Sequence, residues 1–315
     1  MKKLKIIFAG TSYFSAEHLN ALIFTSYQVV AVITQPDKPC GRGQKIQFSP
    51  VKIISKKNNI PVFQPLYLNE KTFLDDISRL NADIMIVVAY GRIVPKIILT
   101  MFPMGCINVH ASLLPRWRGA TPIQSAIIHG DKETGITIIE MNETIDTGKI
   151  IYSEACSILS FDTTYTLSLK LINIGIKSLL KTLKNIINKK ITKKKQNEKN
   201  CLVSYKIEKK DGLLKWNQKA TKLERIIRAF NPWPTAYFKI NNTIIKVWQA
   251  EVIPLDICTD SVGEIIKTNQ QGIQVNTAYQ ILNIQKLQIS GKKIITSREI
   301  LLSKKNWFKV GAILV

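Results

Sequence analysis

The sequence predicts an α/β fold: a Rossmann-like domain on a mostly parallel sheet, followed by a small OB-like β-barrel. Three observations carry that reading. The chain opens as apolar run, glycine turn, helix and second apolar run, which is a βαβ unit. Apolar runs recur at 84–89 and at 106–110, the latter broken only by Asn108 and His110 towards its end, and both are short enough to be strands buried on both faces. After a lysine-rich stretch the pattern changes to five short alternating strands preceded by one helix, the profile of a small barrel.

In order, Leu4 to Ala9 is the first strand, and Gly10 turns it into a helix bearing Phe14, Leu19, Leu22 and Ile23. Val29 to Thr34 is the second strand, parallel to the first. The turn between strand and helix lacks Gly-x-Gly-x-x-Gly, so no backbone there admits a dinucleotide pyrophosphate. Residues 35–50, QPDKPCGRGQKIQFSP, exceed an ordinary βα connection and read as a functional loop. They set Lys38, Arg42 and Lys45 against Asp37, with Arg42 between Gly41 and Gly43. A solvated surface loop is the plain alternative. A helix over 51–57, a strand over 61–63 and a helix over 69–80 capped by Asn69 follow. Thr134 to Met141 and Lys149 to Ala155 form a hairpin closing on a turn with Asp146, and a helix spans 163–187. Composition then shifts: between Lys189 and Lys215 ten lysines face three acids, a net +7 in 27 residues. The domain reading is therefore 1–188, a basic linker 189–206, and 207–315. In the last part, a helix over 220–230 stops at Asn231-Pro232-Trp233-Pro234, and strands follow at 236–240, 244–252, 263–267, 272–276 and 279–287.

Bulk properties bound the function. Apolar runs end after six or seven residues, so no membrane span is expected, and the short run after Met1 is too brief for a signal peptide. Five scattered cysteines with no Cys-x-x-Cys suit a reduced, cytoplasmic protein, and the three histidines, none near a cysteine cluster, argue against zinc. The net charge of +23 points to a polyanionic partner, since counterion release rewards basic residues on phosphate. Only eight of the 45 basic residues are Arg, however, and the abundance of Lys, Ile and Asn is also what AT-rich coding produces.

The chemistry concentrates in GCINVHASLLPRWRGATPIQ, residues 105–124. Asn108 and His110 are two apart on a strand, so they share a face at its carboxyl end, where open α/β sheets hold ligands. Ser112 to Gly119 form an irregular loop, and Thr121-Pro122 open a helix. With Asp146, these residues provide an amide, an imidazole and a carboxylate, a set that suits acyl transfer without a nucleophilic side chain. No Gly-x-Ser-x-Gly elbow supplies one. Singly, a strand-end His or an Asp before Thr-Gly is more often structural. His18 and His129 read as ordinary surface residues.

FAGT at 8–11, TQPDKPCGRG at 34–43, VVAYGRIVP at 87–95, INVHASLLPRWRGATPI at 107–123, ETGITIIEMNETIDTGKI at 133–150 and RAFNPWPTAYF at 228–238 together resemble the methionyl-tRNA formyltransferase family. The likeness runs almost end to end. Its central motif is shared with glycinamide ribonucleotide and sugar-nucleotide formyltransferases, and the basic loop with Asn-Pro-Trp-Pro narrows it to the tRNA enzymes. The resemblance implies a formyltransferase domain first and a tRNA-binding barrel second. It implies catalysis by Asn108, His110 and Asp146, folate binding by Ser112, Leu113, Leu114 and Pro115, and tRNA contact by Lys38, Arg42 and Lys45. The implied donor is 10-formyltetrahydrofolate and the acceptor initiator Met-tRNA, with no metal, in a cytoplasmic monomer. A sugar nucleotide or another small amine is the alternative acceptor. Ser12-Tyr13 in place of a Pro-acid pair, Thr121 in place of Ala and Lys149 in place of an acid depart from the family pattern without touching the triad.

Overall fold

A computed structural model describes residues 3–40, 43, 45–255 and 261–314. The first part of the chain runs β1 (Lys5–Gly10), α1 (Tyr13–Ile23), β2 (Gln28–Ile33), β3 (Lys38–Cys40), β4 (Lys45–Gln47), α2 (Pro50–Lys57), β5 (Val62–Phe63), α3 (Lys71–Arg79) and β6 (Ile84–Val88). It continues through α4 (Lys96–Leu99), β7 (Cys106–His110), β8 (Arg118–Gly119), α5 (Pro122–His129), β9 (Glu133–Glu140), β10 (Ile150–Ser157) and α6 (Thr164–Ile187) to β11 (Val203–Ser204). One seven-stranded sheet has the order β5-β2-β1-β6-β7-β9-β10. Its first five strands are parallel, and β9 and β10 add an antiparallel edge. The expected Rossmann-like topology is therefore present, with the chain reversing its direction of growth at β1.

The pleat explains the core. Ile7, Ala9, Ala31, Ile33, Met85 and Val87 pack on one face against Phe73 and Ile77 of α3, which lie one helical turn apart. Their strand neighbours Ile6, Phe8, Val32 and Ile86 are fully buried on the other face. Ser12 and Ser49 cap α1 and α2 through their hydroxyls. Asn69 does not cap α3: Glu70 holds that position, with no side-chain bond to the helix. The long loop after β2 is not irregular throughout, because β3 and β4 pair as a short antiparallel ladder.

The chain divides into two compact units. The first comprises residues 1–122, 133–157 and 168–205, so all but the last residue of the expected basic linker, 189–206, falls within it. The second gathers residues 123–132 and 158–167 with 206–315. There α7 (Ala220–Ala229), β12 (Ala236–Ile240), β13 (Thr243–Ile253), β14 (Ile265–Asn269), β15 (Gly272–Asn276), β16 (Ile281–Ile289), β17 (Ile295–Thr296) and α8 (Ser297–Lys304) follow in order. The strands form an antiparallel sheet, β12-β13-β16-β15-β14, with β17 added to β16. Phe238, Val247, Ile273 and Leu287 line its core with Leu223 and Ile227 of α7 and Ile300 of α8. Among the described residues no helix is long and apolar enough to cross a membrane.

His18 departs from its expected place on the surface. It is fully buried, with Nδ1 2.8 Å from the Phe14 carbonyl. The reason is a second covering layer: α6 passes so close that a Cβ on Gly175 would stand 2.4 Å from His18 Nε2. Burial pushes the imidazole down to about 4, below its value in the unfolded chain. The unfolded state therefore binds the proton first, and stability falls as pH drops from about 6.5 towards 4. Unfolding free energy at pH 4.5 should be lower than at pH 7 by about 2 to 3 kcal/mol from this group alone. In His18→Leu, urea melts at the two pH values should differ less than in the parent by that amount.

Candidate active site

β7 explains the placement of the first two residues. Cys106, Ile107 and Val109 are buried apolar residues that fix the strand between β6 and β9. Asn108 stands opposite Ile139, and His110 ends the strand opposite Thr137. The hairpin between β9 and β10 then returns Asp146 to the same strand tip. Asn108 Nδ2 donates to Asp146 Oδ1 at 3.1 Å, and His110 Nδ1 lies 3.4 Å from Asp146 Oδ2. The three residues named from sequence are thus brought within reach of one another.

The site is screened from solvent, with the His110 side chain 6% exposed and that of Asp146 11%. Low exposure strengthens each polar contact and penalises each unmade one. His110 Nε2 lies 2.9 Å from the Trp117 carbonyl, so both ring nitrogens face acceptors. A neutral imidazole can donate from only one nitrogen; the cation serves both. The Asp146 carboxylate also accepts the Gly119 N–H at 2.8 Å.

Several supporting residues were not singled out in the sequence. Arg118 is buried and donates to both carboxylate oxygens of Glu198 at 2.8 Å and to Gln196 Oε1. Hydrogen bonding with Glu198 raises the guanidinium above its ordinary value and lowers the Glu198 carboxyl. Gln196 Nε2 in turn donates to the carbonyls of Asp146 and Gly148, each at 2.8 Å. β11 pairs with β8 in parallel, and Ser204 Oγ donates to the Arg118 carbonyl at 3.0 Å. The only sequence signal for these residues was the place of Arg118 within the Ser112–Gly119 loop, the candidate reactive loop.

The expected folate segment is held from below by Thr137. Its hydroxyl donates to the Ser112 carbonyl at 2.6 Å and accepts the Leu114 N–H at 3.0 Å. Ser112 and Leu114 are buried, Leu113 and Pro115 half-buried, and Leu114-Pro115 is cis. Ser112 Oγ donates to the Arg116 carbonyl at 2.5 Å, which closes the loop on itself.

Of the three cations expected to meet tRNA, Lys38 is exposed on β3, Lys45 begins β4 across from Cys40, and Arg42 lies outside the described residues. Asp37, set against them in the sequence, is already engaged. It binds the Lys52 ammonium and accepts the Gln64 amide at 2.9 Å. The Lys52 hydrogen bond holds its carboxyl below the ordinary range, so the carboxylate anchors the base of the loop.

An amide, imidazole and carboxylate at the tip of a Rossmann-like sheet suit acyl transfer between two bound substrates, and the chain belongs to the formyl transferase family. The model described as "Formyl transferase" matches residues 2–183, and "Formyl transferase, C-terminal domain" matches residues 206–305. Its relatives define the branch. The methionyl-tRNA formyltransferase of Buchnera aphidicola subsp. Acyrthosiphon pisum (strain Tuc7) is 64% identical over 314 residues, covering 100% of both chains. That of Buchnera aphidicola subsp. Schizaphis graminum (strain Sg) is 61% identical over the same span, again covering 100% of each. Among solved structures, WlaRD, a sugar 3N-formyl transferase crystallised with dTDP and 5-N-formyl-THF, shares the fold. The TM-score is 0.65 at 21% identity, over 93% of this chain and 100% of that one.

Gly119 is a tight point of this arrangement. It adopts φ +108°, and a Cβ there would lie 2.4 Å from the Ser204 carbonyl oxygen. Gly119→Ala should destabilise the chain by about 1 to 3 kcal/mol through strain and overpacking. Chemical denaturation at neutral pH checks this; a midpoint equal to the parent's would show that β8 and β11 are not held together as described.

Proposed function

We propose that this chain, acting as a cytoplasmic monomer, transfers the formyl group of 10-formyltetrahydrofolate to the α-amino group of methionine esterified to initiator tRNA. The observation that carries the chemistry is the convergence of Asn108, His110 and Asp146 at one strand tip. The choice of acceptor is supported by the full-length 64% identity to a methionyl-tRNA formyltransferase.

The amine of the aminoacyl-tRNA is itself the nucleophile, so the protein supplies none. Its nitrogen attacks the formyl carbon, and the carbonyl oxygen takes the electron pair as an oxyanion. Asn108 keeps a second amide N–H beyond the one given to Asp146, and this is the natural oxyanion donor. One such donor is worth about 10²- to 10³-fold in rate. His110 commits its Nε2 edge to Trp117 and pairs only loosely with Asp146 at 3.4 Å through Nδ1. The Nδ1 edge is therefore the one that can turn its proton to the reaction. Collapse of the adduct breaks the bond from the formyl carbon to N10, which takes that proton and leaves as tetrahydrofolate. The proton lost by the amine passes through a water to Asp146, whose carboxylate retains accepting capacity beside its two donors. The segment Ser112 to Pro115, fixed by Thr137, presents its backbone to the folate.

The recognition of initiator tRNA rests on the loop between β3 and β4. Asp37 is held at its base by Lys52 and Gln64; Lys38, Arg42 and Lys45 are the residues assigned to the acceptor end, where a weak first base pair makes opening least costly. A second reading, formylation of a sugar nucleotide, draws on the shared fold with WlaRD. It gives no role to the basic loop. Purified protein incubated with the formyl donor and labelled Met-tRNA, free methionine or a sugar nucleotide in parallel separates the two, since formylation of only the sugar nucleotide excludes the first reading.

Asn108→Ala and His110→Ala should each lower kcat at least about 100-fold while leaving circular dichroism and tRNA affinity close to the parent's. Activity within a few-fold of the parent in both variants would sink this mechanism. Arg42→Lys should keep general attraction to tRNA but lose the planar fork, depressing initiator formylation and shrinking the preference over elongator Met-tRNA. Formylation of both tRNAs at two salt concentrations tests it. An Arg42→Lys enzyme as active and as selective as the parent would leave the loop only a bulk electrostatic role.

A further inference from the structure

The stretch expected as a basic linker carries two inward-facing residues. Between Lys189 and Tyr205 only Gln196 and Ser204 are buried, and both bond to the reactive loop or to the Asp146 turn. Backbone contacts reinforce them. Arg118 N donates to the Leu202 carbonyl at 2.9 Å, Leu202 N to the Pro115 carbonyl at 3.3 Å, and Ala120 N to the Ser204 carbonyl at 3.2 Å. Lys194 and Ile150 exchange two backbone bonds of 2.8 Å on the other side of the turn. Residues 193–205 thus form a strap tied at several points to both chain segments that meet in the site.

Gln196 stands at the centre of the strap. Asp146 adopts φ +54°, a left-handed conformation that is costly for a non-glycine residue and persists where its surroundings impose it. The Gln196 amide supplies that restraint, because its two N–H groups grip the carbonyls of Asp146 and Gly148 on either side of Thr147. Its Oε1 is in turn fixed by the buried Arg118 guanidinium, which Glu198 holds from outside. Arg118 is followed by Gly119, whose N–H binds the Asp146 carboxylate. One side chain therefore couples the backbone of the Asp146 turn to the loop that orients its carboxylate.

We propose that residues 193–205 are a working part of the catalytic centre, with Gln196 as a positioning residue that sets the Asp146 carboxylate against Asn108 and His110. The inference rests on the formyl-transfer reading above. A misplacement of the carboxylate by even about 1 Å costs on the order of 100-fold in rate.

The test is a double-mutant cycle on the full-length chain, with Gln196→Ala and Asp146→Asn alone and together. Formylation of Met-tRNA is read as kcat and as KM for each substrate, with a thermal melt of every variant. Gln196→Ala should lower kcat about 10- to 100-fold with both KM values within about twofold. In the Asp146→Asn background the same change should cost less than about twofold, because its effect acts through that carboxylate. A side chain that merely stabilises the fold would lower kcat by the same factor in both backgrounds, and that outcome overturns the proposal. So does a Gln196→Ala enzyme within about threefold of the parent. Should Gln196→Ala not fold, Glu198→Gln loosens the clasp from a carboxylate that is 65% exposed. It must then lower kcat in the same sense, and an unchanged kcat again overturns the proposal. A parent that formylates no Met-tRNA at all removes the functional reading and this inference with it, whereas an active parent with an additive cycle removes only the inference.

Discussion

A carboxylate removed from water has to be given donors, and Asp146 is where this chain meets that constraint. Its two oxygens take the Asn108 amide and the Gly119 N–H, with the His110 ring close by. The groups that hold it come from three separate segments. β7 delivers Asn108 and His110, the loop before α5 delivers Gly119, and the strap holds the backbone from which Asp146 projects. The sheet, the hairpin and the strap are all arranged so that these segments end within a few ångströms of one another.

The same logic separates two kinds of positive charge. Arg118 is buried and paired in bidentate fashion, so it acts as a structural pin and contributes little to attraction at a distance. Lys52 is likewise consumed by Asp37 at the base of the basic loop. Lys194, Lys195 and Lys199 are exposed on the strap, whereas the neighbouring Lys193 pairs with Glu140 at 2.7 Å, and lysines make up most of the basic residues behind the net charge of +23. Charges of that kind draw in a polyanion and are screened by salt. The strap therefore has two faces of different use: Gln196 and Ser204 point inward to the reactive loop, and the lysines point outward to solvent.

How much of this was legible in the sequence depends on range. The parallel sheet could be read because its strands are continuous apolar runs and its helices carry one apolar face. Asn108 and His110 could be read as neighbours because strand alternation is a local rule. Asp146 was joined to them by the hairpin pattern, which is also local. The helix α8 announced itself by Thr296-Ser297-Arg298-Glu299, a capping box that the reading of the chain passed over.

What the sequence by itself determined, then, is the fold class, the shared strand tip of Asn108 and His110 with Asp146 on a nearby turn, and the presence of a long basic segment, since each follows from periodicity, turn chemistry or motif within a few residues. Only the tertiary structure decided the rest. The burial of His18 depends on Gly175, more than 150 residues away, admitting it without a Cβ. The identity of the supposed linker as a strap depends on Gln196 finding two carbonyls some 50 residues upstream and Arg118 finding Glu198 80 residues downstream. A glutamine among lysines has no local pattern to mark it. Its partners are fixed by where the β9–β10 turn and the loop after β7 come to rest, and that position is a property of the packed sheet.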